Sequence, residues 1–348
     1  MNNLLSRLRL FAAEQLVRIK VQSSEHKLRK SGVNRAIEQT VDQVNPRLRA
    51  VSGYRKRLYP VVDAIMTYSD ELAARVRGPV LVDRQSWAKN PTVNALFGSI
   101  DRLRRVLTGP EVRKYVKINQ LGGDCFAVLA SMPDVRNQLG MELVGEAVQR
   151  DVRQTTVGFS DHEVALVGAD EAAVREQLAV IAREILVGIA VEDILERESR
   201  IVELEDRLRI LRIKSRVVDT SSRGSAFITE GSNVHARERE KLQVRIAEVA
   251  QELSEARVGM VGLDEYLARL VEQLQEPERH LSLQEVACRL DRMNILRAGG
   301  DDTNSTEIGF QRVLRGGKPA RVVQLIRFPR TELLEDSERL QELDRYLG

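Results

Sequence analysis

Residues 242–274 read LQVRIAEVAQELSEARVGMVGLDEYLARLVEQL, and this stretch carries the longest apolar repeat in the chain. Its apolar residues recur at spacings that alternate between four and three, which is a period of 3.5 residues. Such a period is typical of a helix that buries a narrow stripe against a second helix, so the stretch predicts one arm of a coiled coil. The members of this seam are Leu242, Ile246, Val249, Leu253, Ala256, Met260, Leu263, Leu267, Leu270 and Leu274.

A shorter apolar repeat upstream predicts the second arm. Arg197 and Ser215 occupy two of its seam positions, so this arm is less regular. The connecting residues 220–234 are rich in Ser and Gly, which favours a loop. Pairing within the chain is favoured over pairing with another copy, because a short loop keeps the arms close. The apolar members of the upstream arm are Ile194, Ile201, Leu204, Leu208, Leu211 and Val218.

These two arms predict an antiparallel coiled-coil hairpin over 170–276. Phe227 and Ile228 lie in the loop that would form its tip. An apolar tip on a projecting hairpin is a candidate contact point for a partner protein, although a tip that folds back on its own arms would explain the same residues.

The sequence outside the hairpin predicts three smaller parts. Residues 1–114 contain helical stretches separated by Gly-Pro pairs, which indicates a basic helical bundle. Residues 115–169 predict a small α+β module, with a helix beginning at Pro133 and a hairpin that turns at residues 160–162. Residues 277–348 predict a helix near 281–293, a β-hairpin around Gly316-Gly317 and a terminal acidic helix. The expected fold is therefore mainly α with small α+β modules.

Charge is distributed unevenly along the chain. Residues 1–120 carry 23 Lys and Arg residues against 10 Asp and Glu, whereas residues 121–348 carry 31 against 41. A basic N-terminal part is expected to meet an anionic surface, which is phosphate backbone, an anionic membrane surface or the acidic half of the same protein. The amphipathic first helix, over 3–30, fits packing in a bundle better than it fits peripheral membrane contact.

The predicted C-terminal hairpin is a candidate for nucleic-acid binding. A helix followed by a basic hairpin resembles a winged DNA-binding module in outline only, because two preceding helices with a clear turn cannot be identified. The basic residues that would contact phosphate are Arg312, Arg315, Lys318, Arg321 and Arg327.

The sequence contains weak signals for catalysis. Phosphate-loop and dinucleotide-binding motifs are absent, and the four His residues show no paired metal-ligand spacing, so no cofactor or metal is expected. Cys125 follows Gly122-Gly123 and would need a base such as His162 to act as a nucleophile. A buried structural Cys and an unrelated His explain the same residues more simply.

These observations favour a non-catalytic cytoplasmic scaffold or adaptor that associates with itself or with another protein through the helical hairpin. No run of 18 uncharged apolar residues exists, so a membrane-spanning helix is not expected. The N-terminus also lacks the apolar run of a secretory signal. Nucleic-acid binding is the alternative, and an enzyme that uses Cys125 and His162 is the third possibility.

Overall fold

The structure is a computed structural model, and its contacts divide the chain into two compact units. The first unit comprises residues 1–65 and 186–276, and the second comprises residues 66–185 and 277–348. The residues that the structure describes are 27–119, 122–144, 147–225, 232–260, 262–297 and 305–335.

The described part of the chain contains ten α-helices and two short 3₁₀ turns. Short 3₁₀ turns lie at Pro46–Ala50 and Arg330–Glu332. The helices are α1 (27–44), α2 (Tyr54–Arg75), α3 (Arg84–Lys89), α4 (Pro91–Phe97), α5 (Ile100–Leu107), α6 (Pro110–Ile118), α7 (Glu171–Ser225), α8 (Ser232–Arg257), α9 (Leu263–Leu274) and α10 (Pro277–His280).

Six strands form one sheet in the second unit. They are β1 (Val80–Leu81), β2 (Asp124–Val144), β3 (Ala147–Gly168), β4 (Leu281–Leu290), β5 (Thr306–Arg315) and β6 (Lys318–Pro329). Five of them are antiparallel in the order β3-β2-β6-β5-β4, and the short β1 pairs with β6 in parallel. The sheet therefore combines strands that lie far apart in the sequence.

Apolar residues cover both faces of this sheet. On one face, α4, α5 and α6 contribute side chains such as Phe97 and Leu103 to a cluster that includes Leu129 and Phe328. On the other face, Val76 and Val174 pack with Val128 of β2 and Leu325 of β6. The guanidinium of Arg175 donates hydrogen bonds to the carbonyl oxygens of Ala73, Ala74 and Val76. These bonds satisfy carbonyl groups that the end of α2 leaves without a helical partner.

The predicted fold class is wrong, because the described residues form a mixed α+β structure with a six-stranded sheet. The expected helix that begins at Pro133 is part of β2, and the expected helix near 281–293 is β4. The expected turn at residues 160–162 lies inside β3. There Ser160 pairs with Met132 and Glu163 pairs with Ala130, so residues 161 and 162 form a β-bulge. The turn-forming residues therefore distort one long strand instead of joining two short ones.

The prediction of one uninterrupted coiled-coil arm over 242–274 is also wrong. Helix α8 ends at Arg257 and α9 begins at Leu263. Gly259 and Gly262 adopt positive φ angles of 76° and 111°, and Val258 between the helices is 74% exposed. The backbone therefore leaves the helical region in the middle of the predicted arm, and α9 packs against the turn Pro46–Ala50.

Helices also contribute the described core of the first unit. The side chains of Val33, Ile37 and Val41 are buried on α1, and Leu267 and Leu270 are buried on α9. Arg57 of α2 forms an ion pair with Asp264 of α9 at 2.7 Å. Among the described residues, no helix is both long enough and apolar enough to cross a membrane.

Replacing Gly78 by Ala is expected to destabilise the second unit. Gly78 has a φ of +119°, and a Cβ atom there would clash with the backbone oxygen of Leu325. A strained backbone and an overpacked contact together predict a loss of at least about 2 kcal/mol, measured as a lower denaturation midpoint.

The matched control is Gly188→Ala in α7, where a new Cβ atom meets nothing within 4 Å. That substitution is expected to leave stability unchanged or to raise it, since Ala favours a helix over Gly. Equal midpoints for the Gly78→Ala variant and the unchanged chain would contradict the close approach to Leu325.

Candidate interaction surface

Helices α7 and α8 pack against each other through part of the predicted seam. Leu204 and Leu208 of α7 form a buried cluster with Val249 and Leu253 of α8. Ile201, Leu211 and Ile246 are partly buried around it. Ion pairs flank the cluster, including the pair between Arg200 and Glu252 at 3.3 Å and the pair between Arg257 and Glu205. Arg239 near the start of α8 pairs with Asp219 near the end of α7 at 2.9 Å, whereas Glu252 near the end of α8 pairs with Arg200, so the two helices run antiparallel.

The remaining seam residues have different surroundings. Leu242 is half-buried on α8, whereas Met260 lies between α8 and α9 outside both helices. Leu267, Leu270 and Leu274 are buried on α9, and Leu263 is half-buried at its start. Phe227 and Ile228, the predicted contact residues of the loop, lie outside the residues that the structure describes.

Helix α7 carries a second apolar stripe, which sequence reasoning missed. Its members, here called the outer stripe, are Leu195, Val202, Ile210, Ile213 and Val217. Each side chain is between 51% and 60% exposed. At about 100° per residue, the outer stripe lies on the side of α7 opposite to the side that packs on α8. The middle and distal part of α7 therefore carries apolar residues on two opposite sides, with Ser199 and Asp206 interspersed in the outer stripe, and α8 covers only the other side.

The outward side of α8 is different in character. At the same angular step it presents Glu240, Val244, Gln251 and Glu255, so Val244 is isolated among polar residues. A polar outward face is what a solvated helix requires. The contrast indicates that the exposed apolar surface of this helix pair belongs to α7.

A second exposed apolar surface lies on the β2–β3 hairpin in the second unit. The last pair between β2 and β6 is Ser131 with Val322, so β2 continues beyond the rest of the sheet. The turn segment 294–296 bonds to β3 at residues 155–157, and past that point the two strands pair with each other and with no other residue in the described ranges. Leu139 and Met141 on this arm are 66% and 67% exposed.

The predicted nucleic-acid residues lie on a hairpin inside the sheet. The predicted turn does join β5 to β6, but the preceding element is strand β4, so the outline of a winged module is absent. Arg321 forms an ion pair with Glu163, and Arg327 pairs with Asp124 at 3.4 Å.

The other three basic residues of this hairpin differ in exposure. The Nε of Arg312 is buried without a hydrogen-bond partner among the described residues. Arg315 and Lys318 are exposed at the turn. The five side chains therefore do not form one free basic surface.

The strand register separates Cys125 from His162. Phe126 pairs with Gly168, whereas His162 lies opposite Ser131. Six residues along β2 correspond to about 20 Å, which is too far for a thiol and its base. Burial raises the pKa of the Cys125 thiol, and the nearby Arg330 opposes this effect only in part.

His162 has a structural environment created by the β-bulge. Its ring stacks on Phe97 with 5.5 Å between ring centroids, and its Nε2 lies 2.7 Å from the carbonyl oxygen of Leu96. Burial lowers the pKa of the imidazole, while the hydrogen bond to Leu96 acts in the opposite direction. This arrangement explains His162 as a packing residue between β3 and α4.

A polar cleft lies beside Trp87 in the second unit. Lys89, Asn94 and Arg292 are among its lining residues. The indole Nε1 of Trp87 is buried without a hydrogen-bond partner among the described residues.

Comparisons with protein-family models, with curated proteins and with solved structures found no match. Within the described ranges, no group of three or more His, Cys, Asp or Glu side chains is arranged to hold a metal ion. The surfaces of the two units are therefore the basis for inferring function.

Cys125 is expected to resist alkylation in the folded protein. Its side chain is 0% exposed and its thiol pKa is raised, so little thiolate is available at pH 8. Mass spectrometry after iodoacetamide treatment would measure this at Cys125, with the same reaction in denaturant as the control. Rapid alkylation of Cys125 in the folded chain at neutral pH would restore it as a candidate nucleophile.

Stability is expected to fall as the pH drops below the ordinary His pKa of 6.5, in part because of His162. The folded state disfavours the protonated ring, so the unfolded state binds a proton at a higher pH than the folded state does. Acidification therefore stabilises the unfolded state relative to the folded state and lowers the free energy of unfolding. Denaturation midpoints at pH 7.5 and 5.5 measure the effect. Substitution of His162 by Gln is expected to make the difference between the two midpoints smaller, and an unchanged difference would show that His162 does not contribute.

Proposed function

We propose that this chain is a non-catalytic scaffold or adaptor that associates with protein through the outer stripe of α7. The observation that carries the proposal is the pair of opposite apolar faces on one helix. Leu204 and Leu208 define the face that α8 covers, and Val202 and Ile213 lie on the face that it leaves exposed. A cytoplasmic location is part of the proposal.

The exposure of the outer stripe has an energetic cost that a partner would remove. Burying an aliphatic side chain completely is worth about 1.5–3 kcal/mol, and the five members of the outer stripe are each about half exposed. Scattered exposed apolar residues are common on proteins, but an aligned row of this kind is typical of an interaction site. The polar outward side of α8 supports the same interpretation, because it lacks such a row.

The β2–β3 arm supports the role of an adaptor. Leu139 and Met141 expose apolar surface in the second unit, whereas the outer stripe belongs to the first. An arm of two strands also offers unpaired backbone groups along its edges. These two surfaces, one in each unit, give the chain two places at which partners can bind.

Nucleic-acid binding is the second candidate, with weaker support. The sequence pattern behind it is a helix followed by a basic hairpin, but the element before the hairpin is strand β4. Two of its five basic side chains also form ion pairs, at Arg321 and Arg327. The catalytic alternative has less support, since about 20 Å of strand separates Cys125 from the position opposite His162.

Site-specific photo-crosslinking tests the proposed surface. Ile213 on the outer stripe and Val244 on the outward side of α8 are 52% and 55% exposed, so they form a matched pair. Each is replaced in turn by the photo-crosslinking residue benzoylphenylalanine in the full-length chain. The variants are irradiated first as purified protein and then in an extract of cells that contain the natural chain.

The proposal predicts protein adducts at position 213 at several times the yield seen at position 244, because only the first site lies in an interface. Adducts to the chain itself and adducts to another protein both support association through this face. Equal yields at the two positions, or no protein adduct at either, would contradict the proposed function.

A further inference from the structure

We propose that a second copy of this chain covers the outer stripe, with the two α7 helices antiparallel and crossing near Asp206. This inference rests on the proposed function, because it names the partner of the same surface. The apolar stripe alone does not identify that partner. The distribution of charge along α7 does.

Charge on α7 is divided sharply at Asp206. Residues 192–206 contain seven acidic and two basic side chains, which is a net charge of −5. Residues 207–216 contain five basic side chains and no acidic one, which is a net charge of +5. The outer stripe extends across both segments, from Leu195 to Val217. The flanks of the outer stripe share this division, with Glu196 and Glu198 at one end and Lys214 and Arg216 at the other, so a complementary partner for this face is basic at one end and acidic at the other.

An antiparallel copy of α7 has this charge pattern. Reversing the helix about Asp206 places the basic segment of one copy on the acidic segment of the other, at both ends of the contact. Four of the five apolar residues then coincide as well, because Leu195 lies opposite Val217 and Val202 lies opposite Ile210. Ile213 lies opposite Ser199, and Asp206, which pairs with Arg209 of its own chain, lies at the crossing. A parallel pair would align acid with acid and base with base, which is unfavourable.

The charged residues beside the outer stripe are placed to take part. On a helical wheel, Glu196 and Glu198 lie on opposite flanks of the stripe, each about 80° from its middle, and Lys214 and Arg216 lie on the same two flanks. All four side chains are exposed. Neither Lys214 nor Arg216 forms an ion pair with any residue in the described part of the chain.

The size of the contact sets the expected strength. Leu195 and Val217 are about 33 Å apart along the helix at 1.5 Å per residue. A single pair of helices of this length gives a small interface, so the dimer is expected to be reversible. Exposed charges contribute to it, and the association is expected to weaken as salt screens them.

A charge-exchange experiment on the full-length chain tests the inference. The first variant carries Glu196→Lys with Glu198→Lys, and the second carries Lys214→Glu with Arg216→Glu. The third variant carries all four substitutions and so inverts the pattern without removing its complementarity. Sedimentation equilibrium at several protein concentrations measures the dimer dissociation constant of each, and circular dichroism checks that each remains helical.

The inference predicts that the unchanged chain forms a reversible dimer. The dimer of each two-substitution variant is expected to have a dissociation constant at least about tenfold higher than that of the unchanged chain. The reason is that like-charged flanks then meet at both ends of the contact. The variant with four substitutions is expected to recover most of the lost affinity. That recovery requires both charge segments to belong to the interface between copies, and a general loss of stability would not produce it.

Two results would overturn the inference. One is a monomer at every concentration, and the other is a four-substitution variant that dimerises no better than the weaker of the two-substitution variants. These results are distinguishable from failure of the proposed function. If Ile213 crosslinks to a different protein while the chain remains monomeric, association through the outer stripe stands and self-association is excluded.

Discussion

The packing of α8 on one side of α7 is the contact on which the rest of this interpretation depends. Leu204 and Leu208 are buried against Val249 and Leu253, and this cluster fixes which side of α7 faces inward. Because α8 can cover only the side of α7 that faces it, the outer stripe on the opposite side remains exposed. The charge division at Asp206 then limits what can cover that stripe.

The sheet of the second unit has its own constraint, which is the long pairing of β2 with β3. The β-bulge at residues 161 and 162 places the His162 ring on Phe97, although the sequence suggests a turn there. The same pairing holds Cys125 far from His162 along the strands. The register of one hairpin therefore removes the geometry that the catalytic hypothesis needs.

Some features of the fold can be predicted from the sequence, and others cannot. The burial of Leu253 and Leu270 follows from their apolar spacing, and the turn between β5 and β6 follows from Gly316-Gly317. The break between α8 and α9 was concealed because Met260 keeps the 3.5-residue period through it. Gly259 and Gly262 were the available signal, since both adopt backbone angles that favour Gly.

The strands were missed for a different reason. Pro133 is compatible with the start of a helix and with a strand, and only pairing with Phe159 distinguishes the two. Such pairing involves residues far apart in sequence, so local patterns do not determine it. The outer stripe was missed because its residues recur at irregular spacings of seven, eight, three and four. A helical wheel drawn for all of α7 would have found it.

The accessibility of the outer stripe in solution is the most direct measure of whether it is an interface. Cys introduced at Val202 or at Val244 would occupy positions that are 58% and 55% exposed in the isolated chain. If copies associate through α7, the thiol at position 202 is alkylated more slowly than the thiol at position 244 in concentrated protein, and the two rates converge on dilution. Equal rates at every concentration would show that the outer stripe stays uncovered.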